Sequence, residues 1–352
     1  MRSFRIGFAV TLAFAFPLSV SAQDVTLHGG TSIVLVPTLV TDLAGEPVFG
    51  LSASNFAIYD NGIEQKIQLD ETLRSQPTSV VVAIEKGHSA DETLDKVKRV
   101  GSLLYPIVGE GKGEAAVVAF DSKPVLMQDF TGNLDLVTAA LNRISVGDYN
   151  AASLDAISYS AALLEARPQT NRKVLFLICE PTDRGSAATI PEVIRRVERS
   201  NVLVYGAAYK PGAAAKIDKM GQTIADPSSH PVNLFGIFSA LTKSAKENVP
   251  QTIAEMSGGE YYLFNDEKKL EDRMADVNNH FFNQYLLSFT PKKLSLGQHS
   301  LRVEVRGRSD VALSARTGYW VGEAPQKDAP AGGASAAVAR SNDHRHCCEG
   351  VR

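Results

Sequence analysis

The chain has 352 residues, 44% of them hydrophobic and 21% charged, with a formal net charge of −3. This is the composition of a soluble globular protein with ample material for a core. It excludes the basic field of a nucleic-acid binder and any strongly acidic character.

Residues 1–5 are short and basic, residues 6–20 are mostly apolar, and Val20-Ser21-Ala22 offers small residues before Gln23. That pattern predicts a Sec-type signal peptide over 1–22, its apolar run too short to span a bilayer. No cysteine follows it to take a lipid anchor, and no later segment reads as a membrane span. The expected product is exported, whether periplasmic, cell-surface or secreted. Of the three cysteines, Cys179 lies inside an apolar strand and reads as a small buried hydrophobe, while Cys347 and Cys348 are adjacent near the end. An odd count at this spacing is not a disulfide framework.

Residues 23–76 read as short strands separated by turns. The run 32–40 is strand-like, and Asp42-Leu43-Ala44-Gly45-Glu46-Pro47-Val48 is a hairpin turn. Residues 55–59 alternate, Asp60-Asn61-Gly62 turns the chain, and Gln65-Lys66-Ile67 resumes a strand. From Ser79 the rhythm changes. The β-branched run 79–84 ends in Glu85, passes through Lys86-Gly87-His88-Ser89, and meets a helical pattern reaching to about Leu104. Such a run suits a strand buried on both faces, and Ser89 with Glu92 has capping-box spacing.

Residues 115–120 and 125–130 read as neighbouring strands, and 134–144 and 153–164 as helices. The apolar run 173–179 again ends in acid, at Glu180. Thr189-Ile190-Pro191-Glu192 is a second capping box, and 202–208 the next strand. Residues 209–232 read as a loop inserted at the ligand end of the sheet. A helix over about 234–256, a strand over 260–264 and a helix carrying Leu270, Met274, Val277 and Phe281 on one face follow. Strands then return over 285–289, 299–305 and 311–319, and 323–352 has the composition of a disordered tail.

The expected class is therefore α/β. A doubly wound, mostly parallel sheet over 77–284 is inserted between β segments 23–76 and 285–322, which pair into a small sandwich-like module. Ligands of such sheets sit beyond the carboxyl ends of the strands, where residues 85–89 fall.

These motifs together resemble the exported bacterial proteins with a von Willebrand factor A-related domain, a type abundant in Acidobacteria. Residues 40–48, Asn55-Phe56 and Tyr59-Asp60-Asn61-Gly62 match the opening module of that family. Tyr285-Leu286-Leu287-Ser288-Phe289-Thr290-Pro291 and Arg316-Thr317-Gly318-Tyr319-Trp320 match its closing strands. The resemblance implies a metal-ion-dependent adhesion site built from Asp-x-Ser-x-Ser, a Thr on a second loop and an Asp on a third. Here Glu85, Gly87 and Ser89 stand at the first motif, Ala151 at the Thr and Glu180 at the last Asp. Two hydroxyl ligands are missing and both carboxylates are a methylene longer. Mg²⁺, which wants octahedral oxygens at about 2.0–2.1 Å, would be poorly held, so the expectation is a degenerate site without metal or cofactor.

Three functions remain open at this point. The first is a non-catalytic protein-binding or adhesion module that presents Glu85, Gly87, Ser89, Ala151 and Glu180 to a protein partner at the cell envelope, with no nucleic acid involved. The second is cation-dependent adhesion through Glu85, Ser89 and Glu180, taking Mg²⁺, Mn²⁺ or Ca²⁺. The third is a serine hydrolase using Ser89, since Gly87-His88-Ser89-Ala90-Asp91 sits between strand and helix like a nucleophile elbow and Leu27-His28-Gly29-Gly30 resembles an oxyanion loop. Against the third, Asp91 replaces the final Gly and no later His, including His230, His280 and His299, carries a base motif. His344, His346, Cys347 and Cys348 are soft ligands in a tail without turn structure, and read as incidental.

Overall fold

The computed structural model describes residues 33–70, 76–87, 90–97, 100–209, 248–264, 266–293 and 295–322. The expected signal peptide, His28, His88, Ser89, most of the 209–232 loop, residues 234–247 and the tail fall outside the described residues.

The α/β part is organised on β5 (Thr78–Glu85), every residue of which is buried. It pairs in parallel with β6 (Gly113–Phe120) on one side and β8 (Arg172–Cys179) on the other. Beyond them lie β7 (Pro124–Thr131), β9 (Val202–Ala208) and β10 (Tyr261–Leu263), giving the order β10-β9-β8-β5-β6-β7. Only β7 runs antiparallel, turned back on β6 through Asp121, Ser122 and Lys123. Counted from β5, this is the 3-2-1-4-5-6 order of a doubly wound sheet, whose topological switch lies between β5 and β8.

Alternation along β5 divides the core. Val80, Val82 and Ile84 face one apolar layer with Leu104, Phe176, Met274 and Phe281, while Val81 and Ala83 face another with Phe120, Ile157, Leu164 and Val204. The first layer is covered by α1 (Asp91–Val97), α2 (Val100–Leu103), α3 (Tyr105–Val108), α4 (Leu134–Asn142) and α8 (Glu267–Phe282). The second is covered by α5 (Ser153–Glu165), α6 (Ile190–Ser200) and α7 (Val249–Ser257). Helix α6 starts in the capping box expected at Thr189 and Glu192 and ends on Asn201 in the left-handed conformation (φ 55°). The helical region after β5 continues past Leu104 to Val108 as short pieces.

The chain enters and leaves this sheet through two four-stranded β sheets. One has the order β13 (Val311–Ala315), β1 (Val34–Asp42), β11 (Tyr285–Phe289), β4 (Ile67–Leu69); the other has β14 (Gly318–Val321), β12 (Gly297–Val305), β2 (Phe56–Asp60), β3 (Ile63–Glu64). Strand β1 pairs antiparallel with β11 and β2 with β12, so residues before and after the α/β insertion share both sheets. Between them Val36, Phe56, Ile58, Leu287, Phe289 and Val303 form a third core. The turn after β1 is closed by Asp42, whose Oδ1 accepts from the amides of Ala44 (2.8 Å) and Glu46 (3.0 Å).

The sequence pattern predicts one strand over 311–319, whereas the chain breaks at Arg316-Thr317 and its halves join different sheets. The break has a physical cause. Arg316 is buried, and its guanidinium donates to the Glu198 carbonyl (3.0 Å), the Asn201 side-chain oxygen and the Gly318 carbonyl (2.8 Å). It thereby closes the carboxyl end of α6, where unpaired carbonyls and the helix dipole favour a cation. Burial pulls the Arg316 pKa down to about 10, against the nearby Glu198 carboxylate that favours its charge. A second contact joins the two parts at His280, whose Nδ1 lies 2.9 Å from the Glu260 carboxylate and whose Nε2 lies 3.1 Å from the Gly45 carbonyl.

Two outcomes follow from these contacts. Arg316→Met leaves buried acceptors unpaired and should cost about 3 kcal/mol in urea unfolding; a loss below about 1 kcal/mol would remove the clamp from the argument. Burial opposes the His280 charge, but Glu260 and the Gly45 carbonyl outweigh it and raise its pKa above the ordinary 6.5. Its stabilisation is complete below 6.5 and is lost as pH rises through the higher folded value. Thermal melts from pH 6 upward should therefore fall more steeply for the natural chain than for His280→Gln.

Candidate functional site

Glu85 ends β5 and Glu180 directly follows β8, so the paired registers of these two strands bring both carboxylates to the switch point. Both are buried, at 1% and 3% exposure, and so is Ala151. The sequence pattern predicts these three at a surface facing a partner, whereas strand pairing at the centre of the sheet buries them beneath it. The Glu180 amide donates to Glu85 Oε2 at 2.7 Å. The Tyr209 hydroxyl lies beside the same carboxyl.

A cation already sits between the two acids. Arg184, one helical turn's spacing beyond Glu180, pairs through Nη1 with Glu180 Oε2 and brings Nη2 to 3.9 Å from Glu85 Oε1. Its backbone is fixed by a reciprocal bridge to Ala151, with Arg184 N to Ala151 O at 2.8 Å and Ala151 N to Arg184 O at 3.0 Å. Ala151 thus contributes its backbone where the resemblance implies a hydroxyl ligand. Gly87 is required by close approach: a Cβ there would lie 2.5 Å from the Asn150 carbonyl and 3.2 Å from Glu85 Oε1.

The surrounding loops are tied by side chains that the sequence reading did not single out. Asp183 Oδ1 accepts from Ser153 Oγ (3.0 Å), the Leu154 amide (3.0 Å) and Ser186 Oγ (2.6 Å), which joins the β8 loop to the start of α5. Asp155 accepts from the Ala187 and Ala188 amides at 2.9 and 2.8 Å. Lys86 pairs with Asp121, while the Lys86 carbonyl accepts from the Gly147 amide at 2.6 Å. The one available signal for Arg184 was an arginine four residues beyond an acid at a strand end, inside Pro181-Thr182-Asp183-Arg184-Gly185.

Burial is the main reason that the Glu85 carboxyl titrates near pH 7 rather than 4.5, and the Glu180 carboxylate reinforces it. The Glu180 amide and Arg184 act in the opposite direction. The Glu180 carboxylate, chiefly through its hydrogen bond, holds the Arg184 pKa above its ordinary value. Below neutral pH Glu85 is therefore protonated, with Arg184⁺ beside it. Burial also pushes the Cys179 thiol well up, as for an inert core residue.

This donor set does not suit a hard divalent cation. One oxygen of each acid is committed to a protein donor, Gly87 and Ala151 offer no hydroxyl, and a guanidinium stands where a second cation would be repelled. Among the described residues no group of three His, Cys, Asp or Glu side chains could hold a metal ion. Glu180 Oε1 is buried without a hydrogen-bond partner. Ser89 lies outside the described residues.

No family model matches the chain, and no curated protein matches it. Solved structures of similar shape include an aerotolerance-related membrane protein from Bacteroides fragilis, carrying multiple mutations to serine. It aligns at 17% identity and a TM-score of 0.40, over 57% of this chain and 98% of its own. Proximal thread matrix protein 1 from the mussel byssus, with a zinc-occupied MIDAS motif, aligns at 13% identity and 0.43, over 64% and 49%. A pilus adhesin from Lactobacillus rhamnosus GG in an open conformation aligns at 11% identity and 0.40, over 70% and 35%. At such scores no residue role passes from them to this chain.

The raised Glu85 pKa makes a signed prediction. The folded state keeps a proton that the unfolded state releases, so stability is complete below pH 4.5 and declines towards pH 7. The full difference is about 3 kcal/mol. Glu85→Gln should flatten that decline in urea unfolding between pH 4.5 and 8, and an unchanged slope would show that Glu85 is not its source.

Proposed function

We propose that the chain is an exported, non-catalytic protein-binding module whose binding loops are held in place by an internal guanidinium instead of a metal ion. The observation that carries this reading is Arg184 between the buried Glu85 and Glu180. In a metal-dependent adhesion site the cation does two things: it organises the loops, and it offers an open position to an acidic group of the partner. Arg184 supplies the first by pairing with both acids and bridging to Ala151. The second is absent from the donor set, so contact falls to the exposed parts of the same loops, where Tyr149 is 77% and Val146 37% exposed. Exposed aromatic residues on loops fixed by a rigid sheet are common anchors of protein interfaces.

The reading also takes residues 1–22 as a signal peptide and 77–284 as the unit inserted between 23–76 and 285–322. It sets the partner at the cell envelope, with Glu85, Gly87, Ala151 and Glu180 acting as the support beneath the contact surface. The family-type resemblance to von Willebrand factor A-related proteins and the topology of the sheet support it. A second reading, cation-dependent adhesion through Glu85, Ser89 and Glu180, is favoured by one observation: the buried, unpartnered Glu180 Oε1.

Calorimetric titration with Mg²⁺, Mn²⁺ and Ca²⁺ separates the two. The natural chain should show no saturable binding at millimolar ion. Arg184→Ser removes the internal cation and leaves two buried acids uncompensated, so its melting temperature should fall and be partly restored by Ca²⁺ or Mn²⁺. A saturable isotherm for the natural chain that disappears in Glu85→Ala would replace the first reading with the second.

A further inference from the structure

A cavity in the β module is lined by donors that the protein leaves unused. It has a volume of about 280 Å³ and lies against the turn after β2 and the segment between β11 and β12, with Asp60, Asn61, Ile63, Gln65, Lys293 and Ser295 in its wall. The acceptors of that wall are already taken. Asp60 Oδ1 lies 2.8 Å from His299 Nδ1, and Oδ2 accepts from the Tyr319 hydroxyl at 2.9 Å. Gln65 Oε1 accepts from the Lys292 amide at 3.0 Å, and Asn61 Oδ1 from the Ser300 amide at 2.9 Å.

The charge of Asp60 is compensated within the protein. His299 Nε2 donates to the Ser295 carbonyl at 2.8 Å. One further proton lies between Nδ1 and Asp60 Oδ1, since two lone pairs repel at hydrogen-bond distance. Wherever that proton sits, the buried pair has no net charge. Glu64, the next acid, is paired with Arg306. The donors, by contrast, are open. Nδ1 is engaged with Asp60, so it takes no proton from the Asn61 amide nitrogen 3.4 Å away. The Ser295 hydroxyl, 3.0 Å from Nε2, can only accept from that nitrogen, which frees its own proton. Lys292 Nζ donates to the Glu64 carbonyl at 2.7 Å, whereas Lys293 Nζ has no partner among the described residues.

An ammonium, a primary amide and a hydroxyl thus converge on one space whose acceptors are all occupied, and Ile63, 47% exposed, adds an apolar wall. An ionised carboxylate is the complement of such a lining, because it only accepts and gains most from charged donors. We propose that the cavity binds a small carboxylate with a short aliphatic chain, its charge on Lys293, its oxygens on Asn61 Nδ2 and Ser295 Oγ, and its chain on Ile63. The volume lies just below the usual range of ligand pockets, which suits a ligand of a few heavy atoms. The site belongs to the β module and goes beyond the partner binding proposed for the strand-end loops.

The test titrates the full chain with sodium propionate, at ionic strength held constant with sodium chloride, and reads the amide resonances of Asn61 and Ser295. The expected result is a saturable shift at millimolar propionate and none with propionamide, which has the same shape without the charge. Affinity should fall about 10-fold in Lys293→Met, the loss of one charge-assisted bond. Asn61→Asp keeps the acceptor for Ser300 and a residue type that tolerates the left-handed turn (φ 47°), but it replaces a donor with a like charge and should abolish binding. Both positions are exposed, so both variants should melt with the natural chain. A parallel titration with glycylglycylalanine, free or amidated at its carboxyl end, separates two sources of the same group. Tighter binding of the free-ended peptide assigns the site to a chain terminus, and tighter binding of propionate assigns it to a free acid; either upholds a carboxylate site. Absence of a saturable shift, equal binding of propionamide, or undiminished affinity in Lys293→Met overturns the proposal.

Discussion

The desolvation of two acids at the centre of a parallel sheet is the constraint on which the rest of the structure depends. Strands β5 and β8 are adjacent and apolar over Val80–Ile84 and Val174–Cys179, so whatever follows them is delivered to one point with little access to water. Two uncompensated carboxylates could not remain there, because a buried unpaired charge costs several kcal/mol. The chain meets that cost in two ways at once: Glu85 takes up a proton near neutral pH, and Arg184 pairs with Glu180. The Ala151 bridge, the close approach at Gly87 and the Asp183 contacts with α5 all serve to hold Arg184 at that point.

A guanidinium and a divalent ion are not equivalent solutions. Both neutralise acids and both tie loops together, but an ion keeps an open coordination position and can exchange with solvent. The arginine is tethered by its own backbone and spends its donors on protein acceptors. The same economy recurs at the other end of α6, where Arg316 closes a helix terminus and fastens the β module to the α/β sheet. In each case a single guanidinium joins two separate pieces of chain: Arg184 the two acids at the strand ends, and Arg316 the end of α6 and Gly318.

Much of the fold was legible because its signals are local. Apolar runs ending in acid marked β5 and β8, the Thr189–Glu192 capping box marked α6, and Asp60-Asn61-Gly62 marked the turn between β2 and β3. The candidate site was only half legible. Glu85 and Glu180 could be found as the acids at strand ends, but Arg184 gave no periodic or motif signal, since its role depends on a loop folding back over the sheet. The single strand expected over 311–319 failed for a related reason: alternation continues through Arg316, and only the burial of its side chain against α6 breaks the strand. The contact between Asp60 and His299 was equally invisible, because the two are 239 positions apart.

The sequence by itself determined most of the strands and helices and that the chain alternates β, α/β and β. Those properties follow from composition and periodicity over a few residues. Only the tertiary structure decided the burial of Glu85 and Glu180, the cation that neutralises them and the pairing of residues 34–38 with 285–289 across the insertion. The physical reason is that charge, desolvation and hydrogen-bond satisfaction depend on which distant residues become neighbours, and local patterning carries no information about that.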